Sequence, residues 1–198
     1  MKHVLPLLLL LLMAMPAQAA GVPLFDGYDL DMPRSAVQRR AQAEPCRTPG
    51  LEEHLCRSQP ATFGGQQWQQ VFMFSENRLK AIVLQRPFSP AGFRDAMQAI
   101  VGNGLVLAEI NADGSVFDAL AAARKGARSF ESRLKTFEQQ AAKARQLTYS
   151  FLDKRSLRAA GNVASLRQFL QQAPAATRGV TLSHNGRLMI LTFLAPGA

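Results

Sequence analysis

The chain is poor in the residues that carry reaction chemistry. It holds three histidines, two cysteines, two tyrosines and one tryptophan in 198 residues. His3 stands near the N-terminus, and His54 and His184 lie far apart with no zinc-ligand spacing. No G-x-S-x-G elbow, no H-E-x-x-H and no phosphate-cradling glycine loop occurs. Asp26, Asp29 and Asp31 fit a strand followed by a helix cap, without the glycine-centred loop and later glutamate of a calcium site. Glu52 and Glu53 are adjacent, so regular structure points them apart. The expectation is a non-enzymatic protein with no catalytic residue, metal or cofactor.

Long apolar runs are also scarce. The only one is residues 4–15, broken by Pro6 alone. Lys2 precedes it, Pro16 ends it, and Ala17-Gln18-Ala19 follows as the small-x-small pattern of a cleavage site. Twelve residues reach about 18 Å as a helix, well short of the roughly 30 Å hydrocarbon core. The reading is a signal peptide over residues 1–19, cleaved after Ala19 or Ala20, and not a retained anchor. No cysteine at that point marks it for lipidation, and no later segment approaches a membrane span. The expected location is the bacterial periplasm or the exterior.

Acidic residues are outnumbered. Without residues 1–19 the chain keeps 22 Lys/Arg against 14 Asp/Glu. A basic balance suits anionic lipid or lipopolysaccharide, or an acidic protein. Nucleic acid is not expected, since no aromatic-plus-basic module occurs. Arg34, Arg39, Arg40, Arg47 and Arg57 gather around the first helix and a cysteine loop, and with Trp68 they form the candidate binding set. A second basic group lies at Arg124, Lys125, Arg128, Arg133, Lys135, Lys143 and Arg145, offset by Glu131 and Glu138. The two cysteines, Cys46 and Cys56, are read as a structural disulfide. Their spacing is wrong for a C-x-x-C redox pair, and Pro49 and Gly50 let the loop turn back.

The rest reads as one domain over 20–198. Residues 25–32 alternate as a strand, and Asp31 and Pro33 open a helix to about 43. Residues 67–74 and 79–86 form a hairpin. Trp68, Phe72 and Phe74 share one face, and the return strand is apolar on both sides, as in a central strand. Ser89 caps a helix to about 101, and 105–110 is a strand. From Ser115 to Gln146 no proline occurs. Val116, Leu120, Ala123, Ala127, Phe130, Leu134, Phe137, Ala141 and Ala144 keep a heptad. The pattern predicts a helix starting at Ser115, continuous or interrupted at Gly126, packed within the chain or against a partner. Residues 147–152 read as a strand, Asn162 as the cap of a helix over 163–172, and Asn185-Gly186 as a second hairpin turn.

Phe74-Ser75-Glu76-Asn77-Arg78-Leu79 is echoed by Leu182-Ser183-His184-Asn185-Gly186-Arg187-Leu188. This suggests a diverged β-α-β-β duplication, with sub-units 25–110 and 147–198 joined by the helical segment 115–146. The fold expected is α+β: an antiparallel sheet of about six strands with helices mainly on one face. Oligomeric state is not read from the sequence.

Residues 32–87 carry a family resemblance. Met32-Pro33-x-x-x-Val37 opens a helix, and Pro45 follows it. Then come Phe63-Gly64-Gly65, Trp68, Phe72-x-Phe74 and Leu79-x-x-Ile82. This stretch resembles the outer-membrane-assembly lipoproteins of the SmpA/OmlA type and the related β-lactamase-inhibitor-protein-like domains. The resemblance implies helices on an antiparallel sheet and a protein-binding role in the cell envelope. The chain departs from it in lacking a lipidation cysteine and in carrying Cys46 and Cys56. The expected function is binding of another envelope protein, with peripheral binding of anionic envelope lipid as the alternative.

Overall fold

The computed structural model describes residues 21–161 and 163–196. The expected leader, Ala20 and the expected cap Asn162 lie outside the described residues. The chain opens on a small hairpin, β1 (Pro23–Phe25) and β2 (Tyr28–Asp29). This replaces the single strand expected over 25–32. Asp26 and Gly27 both take positive φ (52° and 75°), and Asp-Gly closes a two-residue turn there. Asp31 does not cap the next helix. It sits at φ 61° and turns its carboxylate to Lys80 Nζ, 2.7 Å away. Helix α1 (Arg34–Ala41) starts behind Pro33 with no side-chain cap, and buries Val37 and Ala41.

The cysteine loop supplies strands that the sequence pattern did not signal. β3 (Ala43–Pro45), β4 (Leu55–Arg57) and β5 (Ala61–Phe63) are three residues each. Cys46 and Cys56 are joined, with Cα atoms 4.9 Å apart. The first hairpin is β6 (Gln66–Ser75) and β7 (Arg78–Pro87), turning at Glu76 and Asn77, both with positive φ. Helix α2 (Pro90–Gly102) follows, and the Ser89 side chain accepts the Gly92 N–H. Gly64, just before β6, has φ 58°, and a Cβ there would stand 2.9 Å from the Asp95 carbonyl oxygen of α2. Only glycine lets that turn pack against the helix.

The helix expected from Ser115 divides into three elements. After β8 (Leu105–Ala112) come β9 (Ser115–Asp118), α3 (Ala119–Ala123) and α4 (Ala127–Ala141). The cap is Asp118, not Ser115: its Oδ1 accepts the Ala121 N–H at 2.9 Å. Gly126, at φ 93°, ends the α3 turn. Val116, a seam position in the heptad, is 52% exposed, whereas Phe117 is buried against Phe130 and Phe137. The chain closes with β10 (Leu147–Asp153), α5 (Lys154–Ala159), α6 (Leu166–Gln172, capped by Ser165), β11 (Gly179–His184) and β12 (Leu188–Leu194).

The α+β antiparallel architecture holds. The strand count does not: among the described residues the main sheet has ten strands, in the order β3-β4-β6-β7-β12-β11-β10-β8-β9 with β5 added on β6. The short strands of the cysteine loop and β9 make up the difference. The two hairpins lie side by side, with β7 paired to β12 through Val83 and Thr192. β8 pairs with β10, so the last strand of the expected first sub-unit sits in the second half of the sheet.

Nor do the helices keep mainly to one face. Phe151 and Leu152 are neighbours on β10 and so project to opposite faces. Phe151 joins the large core with Val37 of α1 and Ile100 of α2. Leu152 packs with Leu157 of α5 and with Leu166 and Phe169 of α6. Beyond the reach of α5 and α6, that second face keeps Met73, Ala81, Val83, Ile190, Thr192 and Thr181 half-buried. Among the described residues no helix is long and apolar enough to cross a membrane.

Candidate functional site

The expected arginine cluster is mostly committed to holding loops. The Arg34 guanidinium donates to the Glu53 carbonyl and lies 5.2 Å from the Phe74 ring centroid. Arg40 donates to the Gly27 carbonyl at 2.8 Å and covers the Tyr28 ring at 4.7 Å. Arg57 donates to Gln70 Oε1 and stands 3.6 Å from the Asp26 carboxylate. Arg47 pairs with Glu44 on the surface, and Arg39 is exposed. Trp68 is a core residue, 1% exposed, with Nε1 donating to the Phe63 carbonyl at 3.0 Å. Its ring packs edge-on to Phe63, and the Arg86 guanidinium lies 5.6 Å away.

The net charge lies elsewhere. Residues 21–113 carry nine Lys/Arg and ten Asp/Glu, and residues 114–198 carry thirteen against four. The excess is therefore a property of the second half, from α3 to the C-terminus. Much of it stands on α4 and α5, as the exposed side chains Arg128, Arg133, Lys135, Lys154, Arg155 and Arg158. Among the described residues, none of these six makes an ion pair.

A cleft meets this basic half. One part, of about 330 Å³, has walls that include Leu24, Phe25, Phe63, Ile100, Val180 and Phe193. The β1–β2 hairpin forms one side, the C-terminal end of α2 another, and β11 and β12 the floor. Phe25 stacks on Phe193 with ring centroids 4.7 Å apart. The second part, of about 620 Å³, is lined by Lys154, Arg155, Ser156 and Arg158 of α5, with Gly104 and Asp153. Pro23, Asn103 and Arg178 border both parts, so the two adjoin.

Arg178 stands at the junction. Its Nη2 donates to the Asn103 carbonyl at 3.1 Å and to Asp153 Oδ2 at 3.5 Å. Its Nε is buried and meets no hydrogen-bond partner among the described residues. Among the described residues Asp153 is the only acid lining the second part. Its Oδ1 also caps α5, accepting the Arg155 and Ser156 N–H groups. The loop is fixed further by the Lys154 N–H, which donates to the Gly104 carbonyl at 3.1 Å. At the far end Asp26 lines the apolar part. The cleft is thus mainly apolar at one end and basic at the other.

His184 and Glu109 are among the titratable groups on the sheet whose pKa values are shifted. His184 stacks on Phe88 at 4.5 Å and meets Phe93 edge-on at 5.1 Å. Its Nδ1 is buried without a partner among the described residues, and burial pushes the imidazole pKa down. Glu109 faces Asp118 across the β8–β9 pair. Burial first, and the Asp118 charge second, push the Glu109 carboxyl up. Glu109 shares its row with Ser150, Thr181 and Thr192, which bring no nucleophile-and-base arrangement to it.

Sequence reasoning did not single out Arg178, Lys154, Arg155 or Arg158. Asp153 before a short basic stretch was the one local signal, an acid able to cap a helix carrying three cations. No protein-family model, curated protein or solved structure matches this chain.

Proposed function

We propose that the chain is an exported, non-enzymatic protein that works at the bacterial cell envelope, binding an anionic lipid surface through its basic second half. The observation that carries this is the charge segregation: thirteen Lys/Arg against four Asp/Glu in residues 114–198, where residues 21–113 are nearly balanced. Cations on one part of a surface attract an anionic layer at about 1 kcal/mol each when near it. Export is supported by the leader pattern of residues 1–19. It is supported too by the Cys46–Cys56 bond, of a kind that persists in oxidising compartments.

The test is flotation of the protein lacking residues 1–19 with vesicles. Anionic vesicles of phosphatidylglycerol should carry it upward at low salt and release it at high salt, because screening shortens the reach of exposed charges. Equal recovery on zwitterionic vesicles, or binding that salt leaves unchanged, would contradict the reading.

A second reading, another envelope protein as partner, is favoured by the half-buried sheet face of Met73, Val83, Ile190 and Thr192 and by the resemblance of residues 32–87 to outer-membrane-assembly lipoproteins. Crosslinking in intact cells from a photoreactive side chain at Val83 tests it. A single saturable adduct supports it; a smear or none counts against it.

A further inference from the structure

We propose that the cleft between the β1–β2 hairpin and α5 binds one phosphate-bearing acyl amphiphile, chain against the apolar wall and phosphate on Arg178, Lys154, Arg155 and Arg158. The inference deepens the anionic-surface reading by giving it a single-molecule site.

The two ends of the cleft fix what suits it. An apolar part of about 330 Å³ falls in the size range of ordinary ligand sites, roughly 300–1,000 Å³. It adjoins a second part with four cationic side chains and, among the described residues, one acid. A bare anion would leave the apolar part of about 330 Å³ unfilled. A neutral apolar molecule would leave the cations unanswered. An amphiphile with its charge at one end answers both parts.

The charge count selects phosphate over carboxylate. Asp153 already answers Arg178 and two backbone N–H groups. Lys154, Arg155 and Arg158 have no acid partner among the described residues. A phosphate brings up to two charges and three acceptor oxygens, where a carboxylate brings one charge and two. Arg178 borders both parts, at the boundary where the headgroup would sit.

The experiment is calorimetric titration of the protein lacking residues 1–19 with lysophosphatidic acids of increasing chain length, each below its critical micelle concentration. Glycerol 3-phosphate and lysophosphatidylcholines of the same lengths are the comparison ligands. The expected result is one saturable site for the lysophosphatidic acids. Affinity should rise about fourfold per methylene until the apolar part is full. Glycerol 3-phosphate and the zwitterionic series should bind at least about tenfold more weakly.

Lys154→Glu with Arg158→Glu alters two exposed side chains and should keep the melting temperature while losing about tenfold or more in affinity. Phe25→Asp should remove the chain-length dependence. Should that variant fail to fold, the length series on the unaltered protein decides alone. Glycerol 3-phosphate binding as tightly as the longest chain would overturn the proposal. So would a lysophosphatidylcholine matching its acidic counterpart, or no saturable site. Vesicle flotation without monomer binding would defeat the cleft and leave the surface reading standing. Monomer binding without flotation would do the reverse.

Discussion

Asp153 and Arg178 are tied twice: the Asp153 N–H donates to the Arg178 carbonyl at 3.0 Å, and Arg178 Nη2 reaches Asp153 Oδ2 at 3.5 Å. The backbone bond seats the start of α5 against the strand entering β11. The side-chain bond holds back part of the Arg178 charge from the cleft. Asp153→Asn keeps an oxygen to cap α5, since asparagine caps as well as aspartate, and removes the competing carboxylate. A partly exposed ion pair contributes about 0–1 kcal/mol, so the melting temperature should move little. Affinity for an anionic ligand should rise. Titration of both proteins with the same phosphate amphiphile checks this, and a fall in affinity would show that Asp153 supports the site.

Trp68 should govern stability and not binding. It is the chain's sole tryptophan, buried, with its indole N–H on the Phe63 carbonyl. Trp68→Phe leaves that carbonyl without its donor, at a cost of about 1–3 kcal/mol. Denaturant midpoints followed by circular dichroism should fall accordingly, while flotation on anionic vesicles stays unchanged. Lost flotation at full stability would return Trp68 to the binding surface.

Reducing the Cys46–Cys56 bond should lower stability by about 2.5–3 kcal/mol, the loop-closure entropy of a ten-residue separation. Urea unfolding with and without dithiothreitol measures it. No change on reduction would mean that β3 and β4 are held by their sheet pairing alone.

His184 gives a pH dependence with a definite sign. Burial lowers its pKa below the ordinary 6.5, so the unfolded chain takes up the proton first. Its contribution is intact above about pH 6.5 and is lost as pH falls from there through the lowered value. His184→Phe keeps a ring against Phe88 and should flatten this part of the profile. Urea midpoints between pH 7 and pH 5 decide. An unchanged slope in the variant would assign the effect to other groups.

What the sequence made legible was local. The Glu76-Asn77 and Asn185-Gly186 turns announced both hairpins. Ser89 announced α2, and two cysteines with a Pro-Gly between them announced a disulfide. The heptad from Val116 misled because its spacing is met by residues on three different elements. A strand residue, Phe117, holds the place in the core that helical periodicity gave to Val116. Asp26-Gly27 was a turn signal hidden by the alternation around it. The cleft was illegible for a different reason. Its walls come from Leu24 to Phe193, at the ends of elements that only the strand order brings together. A run of arginines near α1 was conspicuous in the chain, yet folding spends Arg34, Arg40 and Arg57 on neighbouring carbonyls and rings.

The central claim is that binding resides in the basic second half and not in those arginines, and two charge-reversed proteins compare the halves directly. One carries Lys154→Glu, Arg155→Glu and Arg158→Glu; the other carries Arg39→Glu and Arg47→Glu, both exposed. With matched melting temperatures, flotation on phosphatidylglycerol vesicles at low salt should collapse for the first and persist for the second. Persistence in the first with loss in the second would contradict the account and place the anionic contact on α1 and the disulfide loop.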